Sequence, residues 1–149
     1  MAARFHFRLE PLRKLREALE REAERNLARA IQAERDVRAY LESLSAQRLA
    51  IFEARRLATG QTLDLELWRA GERYLVVLER HQVESYERLR AASATVAAAR
   101  DTLILAHRNH LMLVRLKERR ALQHAKEQQL RETIEMDELA VLRYHHQIA

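Results

Sequence analysis

Only three residues in this chain readily interrupt a helix: Pro11, Gly60 and Gly71. Proline lacks the N–H a helix interior needs, and glycine alone enters the left-handed conformation that ends helices at little cost. A chain of 149 residues with so few such points cannot turn often, whereas a globular domain of that length turns many times. The rest of the composition points the same way. A third of the residues are charged and only 5% are aromatic, and Ala, Leu, Glu, Arg and Gln, all good helix formers, dominate. The expected fold is all-α: long helices sharing one buried seam, in a single domain spanning 1–149.

The same composition excludes several classes. With no cysteine there is neither a disulfide nor thiolate chemistry, which fits a reducing compartment. No apolar run approaches the ~20 residues that span a bilayer, and the opening MAARFHFRLEPL lacks the apolar core of a signal peptide. The net charge of +5 suits an acidic partner, but 22 acidic residues are interspersed among 27 basic ones. The basicity is diffuse.

Spacing then organises the chain. Phe5, Phe7 and Leu9 alternate, as in a short extended lead-in, and Pro11 fits the first turn of a helix. Leu12, Leu15, Leu19, Ala23, Leu27 and Ala30 or Ile31 recur at steps of three and four. Val37, Leu41, Leu44 and Ile51 continue the stripe, with Arg48 in one interior slot. The run of fours from Leu15 to Leu27 departs from strict heptads. Helix 1 is expected over about 11–58 and a bend over about 59–71. Gly60 would release helix 1, and Thr62 or Asp64 would cap the next helix. Helix 2 is expected over about 72–145, much the longer of the two.

One break between two striped helices predicts an antiparallel two-helix coiled-coil hairpin. The small residues of RAASATVAAAR (Arg90 to Arg100) would let the helix axes approach closely. With the turn near residue 65, paired residue numbers would sum to about 130. Roughly 30 residues of helix 2 would then project past the start of helix 1. An intramolecular hairpin would be a monomer.

No catalytic constellation emerges. Two glycines eleven residues apart build no phosphate loop, and the four serines lie within helical stretches, not on a sharp turn. His107 and His110 share a helical face, but no neighbouring carboxylate supplies a third metal ligand. They read as surface or seam histidines, and His145-His146 as solvated. No cofactor or metal is expected. Glu118 interrupts the basic run VRLKERR (Val114 to Arg120), and stacking aromatics are too sparse for a nucleic-acid surface. No single segment pairs a basic face with a leucine face for a membrane. The rings of Tyr40, Phe52, Trp68, Tyr74 and Tyr86 cluster around the break, more than one seam can hide. Some would form a contact patch.

Three stretches together resemble the FliJ family. FHFRLEPLRKLRE opens as those proteins do, with aromatic-x-aromatic-basic-Leu before a charged helix. EMDELAVLRYHH (Glu135 to His146) is similar to their C-terminal segment. After the break come Trp68, Tyr74 and Leu78 at the family's spacing. The resemblance covers nearly the whole chain and implies a non-enzymatic component of flagellar type III export. It would be a coiled-coil stalk in the pore of the hexameric export ATPase that also meets the cytoplasmic domain of the export-gate membrane protein and handles export chaperones. It implies gate contacts at Tyr40, Tyr74 and Leu78, with Ser43 and Gln47 on that side of helix 1. Ring contacts fall to the far end, at Arg115, Lys117, Arg119, Arg120, Asp137, Glu138 and Arg143. The location implied is cytoplasmic, at the inner face of the basal body. The residues alone leave open the equivalent stalk of a virulence secretion system, a generic coiled-coil scaffold, or a nucleic-acid-binding coiled coil.

Overall fold

A computed structural model describes residues 3–60 and 62–149. Among them are two helices and no strand: α1, Glu10–Leu57, and α2, Leu65–Ile148. The fold is the expected all-α pair, with α2 the longer and the two packed against each other. The chain divides into two compact units, one of residues 1–21 and 105–149, the other of 22–104. Each helix contributes to both.

The bend lies within unit 22–104 and is shorter than the spacing predicts. Leu57 ends α1, and the Thr59 amide donates to the Arg56 carbonyl at 3.3 Å, tightening the last turn. Gly60 follows with φ of 97°, the left-handed conformation only glycine enters without strain. Asp64, not Thr62, caps α2: its carboxylate accepts from the amides of Glu66 at 3.1 Å and Leu67 at 3.3 Å. Residues 65–71, expected within the bend, are therefore helical. Gly71 does not break α2. A Cβ there would stand 3.1 Å from an Arg55 guanidinium nitrogen, so the missing side chain makes room for Arg55.

In unit 22–104 the cross-helix contacts are antiparallel. Tyr40 meets His81 and Gln47 meets Tyr74, pairs whose numbers sum to 121, and Arg55 meets Glu72, summing to 127. Apart from Gly71, His81 and Ser93 beside it, the buried and half-buried positions of α2 in this unit form one row: Leu75, Leu78, Gln82, Ser85, Leu89, Ala92, Val96, Ala99 and Leu103. Their steps alternate strictly between three and four, which is a heptad seam. α1 answers with Ala23, Leu27, Ala30, Glu34, Val37, Leu41 and Leu44. The buried members are few and mostly small residues or leucines: Ala23, Ala30, Leu41, Leu44, Leu78, Ser85 and Val96. Alanine and serine in the seam allow the close axial approach expected from the alanine-rich stretch.

Unit 1–21 with 105–149 is organised differently. Extending the heptad frame back along α1 puts Arg13, Arg16 and Glu20 in the seam, and all three are half-buried. Leu12, Leu15 and Leu19, the expected seam, are instead exposed at 38%, 54% and 40%. Three-and-four spacing occurs on two overlapping stripes here. The stripe that stays in phase with the partner helix wins, although it is the more polar one. Ahead of α1 the alternating lead-in behaves as expected. Phe7 is buried, and Phe5 packs its ring on His124 with centroids 5.6 Å apart. The lead-in thus covers α2 beyond the point where α1 begins, and the uncovered end is shorter than the expected 30 residues. Every residue from Gln129 to Ala149 is exposed.

Candidate functional site

Two surfaces gather the residues singled out in the sequence, one in each unit. In unit 22–104, heptad position g of α1 faces position g of α2 on one flank of the seam. Tyr40 lies there with its hydroxyl 3.3 Å from His81 Nδ1, and Tyr74 donates to the Gln47 amide oxygen at 2.7 Å. Both rings stay exposed, at 42% and 46%. The hydrogen bonds hold the phenols across the groove and leave their faces to solvent, as suits an aromatic anchor. Gln47, whose polarity shrinks the patch at first sight, is the residue that positions Tyr74.

Leu78 does not belong to this surface. It is buried in the seam at 2% exposure and offers no side chain to a partner. The correction is one of phase, because adjacent residues on a helix point about 100° apart. Val77, one position earlier, is the exposed aliphatic on the tyrosine flank. Spacing alone does not find it, since both VV and L at 76–78 are apolar.

Trp68 has a structural role. The Arg55 guanidinium sits over its ring at 4.0 Å, donates to its carbonyl at 3.4 Å, and pairs with Glu72 at 2.7 Å. Arg55 thereby joins the end of α1 to the start of α2.

In the other unit, Glu10 is fixed by Arg13 at 2.6 Å and by Lys117 at 2.9 Å. Hydrogen bonds from Arg13 and then Lys117 hold its carboxyl at about 2, well below the usual carboxylate range. Lys117, a candidate ring contact, is thus already engaged in the pair that seats the start of α1. Glu20 reaches between His107, at 2.7 Å, and His110, each imidazole meeting a different carboxylate oxygen through Nδ1. Those hydrogen bonds, His107 first, lower its pKa against the opposing effect of burial. The third group absent from the histidines' own sequence neighbourhood therefore comes from the other helix. Both Nδ1 atoms bond to carboxylate oxygens, and no group of three or more His, Cys, Asp or Glu among the described residues could hold a metal ion. The cluster acts as a polar clasp within the seam.

The remaining candidates, Arg115, Arg119, Arg120, Asp137, Glu138 and Arg143, are all exposed on α2. Sequence reasoning names the charges of the α2 end, but its apolar side chains are as prominent. Leu130, Ile134, Met136, Leu139, Leu142 and Tyr144 are each at least half exposed. At about 100° per residue these six point in nearly every direction around the helix. They alternate there with the exposed charges Arg131, Glu132, Glu135, Asp137, Glu138 and Arg143.

Unit 22–104 thus carries an aromatic flank beside an antiparallel seam, and the other unit carries an uncovered end of α2. The chain belongs to the FliJ family, whose model, described as flagellar FliJ protein, matches residues 5–148. That membership makes it a coiled-coil protein related to flagellar type III export. No curated protein and no solved structure matches the chain. No described helix is long and apolar enough to cross a membrane.

Proposed function

We propose that this protein is the coiled-coil stalk of the flagellar export ATPase, with the uncovered end of α2 held in the central pore of the hexameric ring. One observation carries the reading. From Gln129 onward α2 has no partner, yet exposes apolar side chains on all sides. An isolated helical end of this kind is only marginally stable in water. A ring closing around it would cover every face at once, which a single groove would not. The charges of Asp137, Glu138 and Arg143 would give register within the pore.

The aromatic flank supplies the second contact. Tyr40, Tyr74 and Val77 would dock on the cytoplasmic domain of the export gate, placing the protein in the cytoplasm at the inner face of the basal body. Export chaperones would meet the same complex. The stalk performs no chemistry of its own. It acts by touching different states of the ring unequally and so shifting their populations.

The test is ATP hydrolysis and ring assembly by a hexameric flagellar export ATPase, with and without the protein. Stimulation of both, abolished by deleting residues 129–149, is the expected result. A full-length protein that changes neither refutes the proposal.

A further inference from the structure

The segment ahead of α1 is held by a different rule from the rest of the chain. Residues 3–7 form no helix, residues 8 and 9 turn, and α1 starts at Glu10. In an extended segment every second side chain faces the same way. Phe5, Phe7 and Leu9 are accordingly buried or half-buried, and Arg4, His6 and Arg8 between them are exposed. Phe7, at 5% exposure, is the one Phe, Tyr or Trp ring that is buried among the described residues. Phe5 meets His124 of α2 ring to ring.

Those side chains are the anchors. Among the described residues, no backbone hydrogen bond runs from residues 3–9 to α2. The Phe7 and Leu9 carbonyls accept from the amides of Glu10 at 3.1 Å and Arg13 at 2.9 Å, at the entry to α1 itself. The point from which the segment departs is firm by contrast, because Glu10 is tied to Arg13 at 2.6 Å and to Lys117 at 2.9 Å. The strip of α2 past Lys117 is covered only as far as the lead-in reaches. Ala121, His124 and Gln128 follow Lys117 at steps of four, three and four and are half-buried, and from Gln129 every residue is exposed. They prolong the face that α1 uses further back.

We propose that the lead-in is a releasable latch. The strip of α2 over residues 118–128 is a docking site for an extended aromatic-x-aromatic segment, and the chain's own Phe5 and Phe7 occupy it. A few apolar anchors with no backbone ladder open at lower cost than a packed helix does. Equivalent rings offered in trans can therefore take their place, whereas exchanging a seam helix would unfold the protein. Release lengthens the bare end of α2 by about three turns, roughly 17 Å. The latch thus sets where bare α2 begins. It stands on contacts within one unit and does not depend on the stalk reading.

Spin-label distance measurement tests this in the full chain. The protein has no cysteine, so His6→Cys and Lys126→Cys place two labels at exposed positions, one on the latch and one beside its site. The labelled chain is expected to give a short, narrow distance distribution. A large excess of the peptide ARFHFRLE should convert it to a broad, longer one. The same peptide with alanine at both phenylalanines should leave it unchanged. Adding Phe5→Ala and Phe7→Ala to the labelled chain should broaden the distribution without peptide and without loss of helicity. A distribution already broad in the labelled chain would mean that no latch forms. One that stays narrow at every peptide concentration would make the lead-in a fixed part of the core. Equal displacement by the alanine peptide, or helicity lost in the double variant, would also overturn the proposal.

Discussion

Arg55 lays its guanidinium over the indole of Trp68, 4.0 Å from the ring centroid, and so ties the last turn of α1 to the first turn of α2 across the bend. The same group pairs with Glu72 at 2.7 Å. A partly exposed cation–π contact contributes about 0.5–1 kcal/mol, and a partly exposed ion pair less. Arg55→Ala is therefore expected to lower unfolding stability by about 1–2 kcal/mol. A double-mutant cycle with Trp68→Ala should return a coupling of about 0.5–1 kcal/mol. Arg55→Lys should recover little, since an ammonium cannot stack flat on the ring while keeping the Glu72 pair. Zero coupling in chemical denaturation would mean the two residues act independently.

The two glycines predict effects of opposite sign. Gly60 holds φ at 97°, so alanine there incurs left-handed strain and should cost about 1 kcal/mol or more despite the open space around it. Gly71 is within α2, where alanine is the better helix former by about 1 kcal/mol. Its new Cβ would touch only the flexible tip of Arg55, at 3.1 Å. Gly71→Ala should thus stabilise the protein, by up to about 1 kcal/mol. Thermal midpoints of the two variants should bracket the wild type. Both lying below it would mean that Arg55 cannot move aside.

Acid should loosen the charged seam first. Glu10 has a folded pKa of about 2 against an ordinary value of 4.5, because Arg13 and Lys117 donate to its carboxylate. Glu20 is shifted down as well, by His107 and then His110. A carboxyl lowered by folding contributes stability that is complete above its unfolded pKa. That contribution fades as pH falls from about 4.5 toward about 2. Thermal stability should decline over this window, and Glu10→Gln should flatten the decline. An unchanged slope in that variant would show that neither Arg13 nor Lys117 holds the Glu10 carboxylate in solution.

The tyrosine flank and the seam beside it should separate cleanly on mutation. Leu78→Ala removes a buried side chain and should cost about 2–4 kcal/mol. Tyr40→Ala and Tyr74→Ala remove exposed rings and one hydrogen bond each, and should cost about 1 kcal/mol or less. If the flank docks on the gate, the two tyrosine variants and Val77→Asp should weaken gate binding while leaving ATPase stimulation intact. Pull-down against the gate's cytoplasmic domain, alongside the hydrolysis assay, reads both. Unfolding in the tyrosine variants would make them core residues instead.

The number of helices and the place of the turn were legible because punctuation is so scarce: one left-handed glycine and one aspartate cap decide the bend. What could not be read was which of two overlapping stripes enters the seam near the start of α1. Leu12, Leu15 and Leu19 look like a seam from apolarity alone. Arg13, Arg16 and Glu20 occupy it because the frame is inherited from Leu41 and Leu44 and from the partner helix. The same limit exchanged Leu78 for Val77, a one-residue error of phase. It also hid the approach of Glu20 to the two histidines, which depends on the register between helices and on nothing local. The exposure of Tyr40 and Tyr74 was foreseeable, because a two-helix seam shelters only one side of each helix.

The central claim is that a ring surrounds the end of α2. Photo-crosslinking residues placed singly at Leu130, Met136, Leu139 and Leu142 sample four directions around that helix. In the assembled complex each is expected to crosslink to the export ATPase, with crosslinks vanishing when the ring is dissociated. Crosslinks from one direction only, or none to the ATPase, would contradict the account.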